Sequence, residues 1–164
     1  MKNVYLFDWG DTLMVDFQDQ QGKMCHWSKV QAVDGALEVL AELSKNNLIY
    51  VATNAADSTE TEIQEAFERV GLAQYIDGYF CKANLDIGKG TPEFFGRIIK
   101  SLNVSPEMIT MVGDSFENDI APAISAGIHV IWLNPQNAHS CTDKGAQQIS
   151  KLQDILIKRD VDVR

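Results

Sequence analysis

Four short polar clusters carry the side chains able to do chemistry on an anion: Asp8 with Asp11, Thr53 with Asn54, the isolated Lys89, and Asp114 with Asp119. A carboxylate can coordinate a hard cation through oxygen or attack a phosphoryl group as a covalent nucleophile. A threonine hydroxyl, an asparagine amide and a lysine ammonium can hold phosphoryl oxygens. Each cluster alone also has a plain reading. Asp8 can end a strand in an Asx turn, Thr53 can cap a strand end, Lys89 can be a solvated loop charge, and Asp119 can be an acid at a helix start.

The elements decide between these readings. Val4-Tyr5-Leu6-Phe7 reads as a short buried strand that stops at Asp8, and Leu48-Ile49-Tyr50-Val51-Ala52-Thr53 as a second that stops at Thr53 and Asn54. Ile109-Thr110-Met111-Val112 reads as a third, running into Gly113-Asp114, and His129 to Leu133 as a fourth. Tyr79-Phe80-Cys81 and Gln147 to Ile149 are shorter strand candidates. Between them, helices are expected from Gly35 with Asp34 as cap and Leu37, Val39, Leu40 and Leu43 on its apolar face, and after an Asp57 or Ser58 cap with Ile63, Ala66, Phe67 and Val70. Further helices follow Thr91-Pro92 and span Asn118 to Ala126, with a closing one near Leu152, Ile155 and Leu156; Met14 to Val33 reads as loop. Continuous apolar strands alternating with helices predict a parallel sheet covered on both faces, a doubly wound, Rossmann-like α/β fold in three layers, with residues 1–164 as one domain. Right-handed crossovers then bring every strand's C-terminal end to one edge. Acids gathered there repel and do not all stay ionised without a cation between them, and magnesium (Mg2+) suits oxygen ligands beside phosphate.

Composition narrows the partners. The 164 residues are 45% hydrophobic with a net charge of −9, which leaves no basic footprint for nucleic acid or anionic lipid. No run approaches the roughly 18 apolar residues of a membrane span, and no basic and apolar leader opens the chain. Three scattered cysteines argue against a disulfide framework and suit a reducing, cytoplasmic compartment. Cys25-His26 and His139-x-Cys141 match no compact zinc signature.

Taken in order, the clusters resemble the motifs of the haloacid dehalogenase-like (HAD) superfamily, mostly phosphohydrolases, over nearly the whole chain. Phe7-Asp8-Trp9-Gly10-Asp11-Thr12-Leu13 looks like its first motif and Val51-Ala52-Thr53-Asn54 like its second. Gly88-Lys89-Gly90-Thr91-Pro92-Glu93-x-Phe95 is similar to its third, and Val112-Gly113-Asp114-Ser115-x-x-Asn118-Asp119-Ile120 to its fourth. The resemblance implies that Asp8 attacks phosphorus and becomes an aspartyl phosphate, while Thr53, Asn54 and Lys89 bind and neutralise the transferring group. It further implies that Asp8, the Gly10 carbonyl and Asp114 ligate Mg2+, with Asp119 positioning water or Lys89. The intervals after Leu13 and after Asn54 hold no cap domain, so a capless member is expected, acting on a small or macromolecular phosphorylated substrate, with a homo-oligomer as one source of a lid. Met24, Cys25, His26 and Trp27 could form a small rim.

One departure stands out. The family's phosphatases carry, two residues after the nucleophile, an aspartate that protonates the leaving oxygen and then activates water. Here that place is Gly10, and the acid follows at Asp11. Either Asp11 swings into the role or it satisfies its own loop amides. Loss of the acid/base group typically costs about 10² to 10⁴ in rate. Haloacid dehalogenases and phosphonoacetaldehyde hydrolases also lack the second acid; the former work without magnesium, which leaves Asp114 and Asp119 unexplained, and the latter need a large cap. Two readings are therefore carried forward: a magnesium-dependent phosphohydrolase, and a catalytically impaired domain that binds magnesium and a phosphoryl ligand or serves as an interaction module. A response-regulator receiver ranks last, since no lysine follows the fourth strand.

Overall fold

Alternation along the first strand sets the layering. In β1 (Asn3–Phe7), Val4 and Leu6 enter one apolar cluster while Tyr5 and Phe7 join another on the opposite face, as a period of two requires. A computed structural model describes residues 2–135 and 146–157 of the chain. Within them β1 is followed by α1 (Ala36–Leu43), β2 (Asn47–Ala52), α2 (Glu60–Glu68), β3 (Gly78–Phe80), α3 (Lys82–Leu85), α4 (Pro92–Leu102), β4 (Ile109–Gly113), α5 (Ala121–Ser125), β5 (His129–Leu133) and β6 (Ala146–Ile149). All six strands pair in parallel in the order β3-β2-β1-β4-β5-β6.

Val39, Leu40 and Leu43 of α1 and Ile63 and Phe67 of α2 pack with Phe7, Val51 and Val112 on one face. Phe94, Phe95 and Ile98 of α4 and Ala123 of α5 pack with Leu6, Met111 and Val130 on the other. The result is the three-layered, doubly wound fold expected from the apolar runs, and among the described residues no separate cap interrupts it. Met14 to Val33 is loop around one 3-10 turn at Met24–His26, pinned by bridges from Met14 to Gly10 and Ala32.

The corrections lie at element ends. Asp34 does not cap α1: the capping residue is Gly35 at φ 83°, and the Asp34 carboxylate instead accepts from Gln153 Nε2 at 3.3 Å. The left-handed φ favours glycine at position 35, and a Cβ there would displace the end of the Gln153 side chain, whose Cδ would lie 2.3 Å away. Leu37 is half exposed, outside the buried stripe. Neither Asp57 nor Ser58 caps α2; Thr59 does, in a reciprocal capping box with Glu62. The helix expected over residues 118–126 divides into a π-helical turn at Phe116–Ile120 and the short α5. Pro122 supplies the reason, because it has no N–H to return to the carbonyl four residues back. Unexpected at sequence level is α3, opened by Asn84 Oδ1 accepting from the Cys81 amide at 2.9 Å. Residues 154–157 are helical, with Leu152 and Ile155 buried. His139 and Cys141 lie outside the described residues.

Removing the capping hydroxyl tests the local account of α2. Thr59→Ala is expected to lower unfolding free energy by about 1 kcal/mol, read as a reduced midpoint in urea at unchanged slope.

Candidate active site

β1 lies between β2 and β4, so the chain winds away from it in opposite directions and a crevice opens beyond its C-terminal end. Asp8 sits at that crevice, its amide extending the ladder by donating to the Val112 carbonyl at 2.9 Å. Asp114 follows β4 directly, and Thr53 and Asn54 follow β2. Lys89 comes from the loop between α3 and α4, and Asp119 from the π-helical turn.

These residues converge on a buried ammonium. Lys89 Nζ donates to Asp8 Oδ1 at 2.5 Å and to the Ala52 carbonyl at 3.1 Å, and stands 2.6 Å from Asp119 Oδ1. Asp8, Asp114 and Asp119 offer carboxylate oxygens that all lie within 4.8 Å of one another. Thr12 Oγ1 donates to Asp114 Oδ1 at 3.3 Å, and the Trp132 indole donates to the Asp114 carbonyl at 3.0 Å. Asn54 Oδ1 accepts from the Lys89 amide at 2.9 Å, which holds the lysine's loop against β2. Thr53, almost fully buried, accepts from the Ala55 amide at 3.1 Å through Oγ1.

Two glycines make the convergence possible. A Cβ on Gly113 would lie 2.2 Å from Asp119 Oδ2, the oxygen that accepts from the Ser115 amide at 3.1 Å. A Cβ on Gly88 would lie 2.9 Å from Asn54 Oδ1. Neither requirement shows in a pattern of polarity, and the Thr12 and Trp132 contacts to Asp114 also escape sequence reasoning. Their only signal is position, Thr12 within the first motif and Trp132 inside an apolar strand.

Asp11 stands apart from this cluster. It is exposed, its backbone is left-handed at φ 58°, and its Oδ1 accepts from the Asp16 amide at 3.0 Å. Gly10 bridges to Met14 and, with Asp16, Lys23 and Trp27, lines a cavity of about 190 Å³ beside the strand end.

Charge explains what the cluster lacks. Three carboxylates face one ammonium, a deficit of two positive charges. Burial pushes Asp114 up to about 7, with the neighbouring Asp8 carboxylate adding to the rise. Burial and repulsion from Asp8 push Asp119 up to about 6 against the opposing pull of Lys89. Desolvation alone would depress Lys89, but Asp8 and Asp119 outweigh it and hold the ammonium above its ordinary value. Asp119 Oδ1 is buried, with the Lys89 ammonium beside it as its partner. An all-oxygen donor set with a net negative charge fits a hard divalent cation.

A family model described as haloacid dehalogenase-like hydrolase matches residues 10–127. The chain belongs to that family. Pyrimidine 5′-nucleotidase YjjG of Escherichia coli K12 is 30% identical over 101 residues, covering 61% of this chain and 44% of the relative. A phosphoserine phosphatase of Thermus thermophilus is 28% identical over 109 residues, covering 63% of this chain and 43% of the relative. The chain thus spans less than half the length of these curated relatives. An uncharacterized protein of Listeria monocytogenes serotype 4b superposes with a TM-score of 0.83 at 22% identity, over 97% of both chains. The HAD-hydrolase YfnB of Bacillus subtilis, bound to magnesium, does so with a TM-score of 0.76 at 15% identity, over 96% of this chain and 98% of the other.

Two measurements probe this HAD-family site without turnover. Gly113→Ala forces Asp119 off the Ser115 amide, so isothermal titration is expected to show weaker magnesium binding than wild type. In EDTA, Asp114→Asn should raise Tm over wild type at about pH 8 and not at about pH 4, because a carboxyl raised on folding keeps its proton below its folded value and costs stability once ionised above it.

Proposed function

We propose that the chain is a magnesium-dependent phosphohydrolase that cleaves phosphomonoesters through an aspartyl phosphate on Asp8. The observation that carries this reading is the Lys89 ammonium held between Asp8 and Asp119, with Asp114 beside them, at the mouth of the sheet's switch point. Family membership supports hydrolysis, and relatives named as phosphatases and a nucleotidase support a phosphorylated substrate.

In this reading Asp8 offers a carboxylate oxygen to phosphorus from a fixed backbone, since its amide is bound to β4. Lys89 is paired with that carboxylate in the resting site and then neutralises the phosphoryl oxygens as they approach. Thr53 and Asn54, at the tip of the adjoining strand, supply hydroxyl and amide donors to the remaining oxygens. Asp8, Asp114 and Asp119 would hold magnesium, which supplies the positive charge that lets two anions meet. Gly113 and Thr12 fix where Asp119 and Asp114 present their oxygens.

One observation favours the second reading, a binding module without turnover: Asp11, the acid nearest the usual place in sequence, spends its carboxylate on a loop amide. The two separate cleanly. Wild type is expected to hydrolyse p-nitrophenyl phosphate only with magnesium, and Asp8→Asn to lose both turnover and trapping by beryllium fluoride. Hydrolysis retained in Asp8→Asn removes the nucleophile assignment, and an inert wild type that still binds magnesium selects the module.

A further inference from the structure

An aspartyl-phosphate route needs a proton for the leaving oxygen and, afterwards, a base for the attacking water. Asp8, Asp114, Asp119 and Lys89 are committed to one another, so the group must come from elsewhere. The surroundings of Gly10 supply one. A Cβ built on Gly10 would lie 3.5 Å from Asp16 Cβ, 3.7 Å from its Oδ2 and 3.8 Å from its Cγ. A side chain at position 10 would thus pack directly against the Asp16 side chain. Asp16 is exposed and lines the cavity that Gly10 also lines, two residues along the chain from Asp8.

The loop holds Asp16 there. Asp11 Oδ1 accepts from the Asp16 amide at 3.0 Å, Gln18 Nε2 donates to the Asp16 carbonyl at 3.2 Å, and the Asp11 amide donates to the Met14 carbonyl at 2.6 Å. The left-handed turn at Asp11 therefore directs that residue's carboxylate back onto its own loop and sets the backbone of Asp16. The other acid lining the cavity, Asp57, accepts from the Ser58 hydroxyl at 3.2 Å. Lys23, also on the cavity wall, is paired with Glu62 at 2.6 Å.

We propose that Asp16 is the catalytic acid and base, entering the site across Gly10 from six residues further along the chain, with Asp11 as its positioning residue. The inference rests on the phosphohydrolase reading above. In the first half-reaction an Asp8 oxygen bonds to phosphorus, the bond from phosphorus to the ester oxygen breaks, and the Asp16 carboxyl proton passes to that departing oxygen. In the second, water bonds to phosphorus, its proton passes to the Asp16 carboxylate, and the bond to Asp8 breaks with its electron pair returning to Asp8. Alcohol and inorganic phosphate leave.

Leaving-group dependence tests it. Asp16→Asn is expected to lower kcat/KM for ethyl phosphate, whose alkoxide needs the proton, by about 10² to 10⁴. With 2,4-dinitrophenyl phosphate, whose phenolate departs unprotonated, the same variant should release a stoichiometric burst and then turn over slowly as the aspartyl phosphate accumulates. Gly10→Asp in the Asp16→Asn background should recover ethyl phosphate turnover, because position 10 is not left-handed and its Cβ meets only ordinary contacts. Full ethyl phosphate activity in Asp16→Asn overturns the proposal. So does an equal loss of first turnover with both esters, or the burst appearing in Asp57→Asn instead. Wild type that cleaves neither ester overturns the hydrolase reading and this inference with it, whereas the other failures leave hydrolysis standing.

Discussion

Bringing three carboxylates together at the tips of adjoining strands is unfavourable in itself, because each loses water and gains like-charged neighbours. The ion pairs from Lys89 to Asp8 and Asp119 are what make the arrangement bearable in the folded chain. They reach across the whole architecture, since the lysine arrives from the loop before α4, Asp8 from the first strand and Asp119 from beyond the fourth. A buried pair of this kind is seldom a net source of stability. Its use is geometric: the ammonium fixes an Asp8 oxygen toward the crevice and leaves a charge deficit that protonation or a further cation removes.

Much of this was legible from residue order. Four apolar runs ending in polar residues determine a parallel sheet, and a parallel sheet places those ends on one edge, so the approach of Asp8 to Asp114 follows once β1 and β4 are neighbours. Spacing could not reveal which atoms meet. Asn54, expected among phosphoryl donors, spends its side-chain oxygen on the Lys89 amide, and that contact depends on the bare backbone of Gly88. Asp119 reaches the Ser115 amide because Gly113 has no Cβ and because Pro122 prevents an ordinary α-helical turn. Element ends were misread for a related reason. Asp34, Asp57 and Ser58 are all competent caps by type, and tertiary contacts with Gln153 and the Thr59–Glu62 box decided against them.

The fold gathers the acidic cluster, and in the proposed reaction the loop after β1 supplies the proton donor. Parallel strands deliver side chains at fixed spacing, but a proton donor must stand off the sheet by the width of a phosphoryl group. A loop can do that only if its own backbone groups are satisfied without water. Here the Asp11 amide and carboxylate, the Met14 bridge and the Gln18 amide close a compact turn between residues 10 and 18. Those bonds set the backbone from which the Asp16 carboxylate extends beside the adjoining cavity.

On the proposal above, glycine at position 10 is compatible with turnover, because the acid can reach the site from elsewhere in the loop. A carboxyl group acts through the position of its oxygens, and the chain position from which it extends matters only through reach. In that proposal the acid extends from the far side of the turn, with Asp16 Oδ2 3.7 Å from where a Cβ on Gly10 would stand and both residues lining the cavity. The cost falls on Asp11, which must adopt a left-handed conformation that non-glycine residues take only where the surroundings compensate, and the Asp16 amide is that compensation.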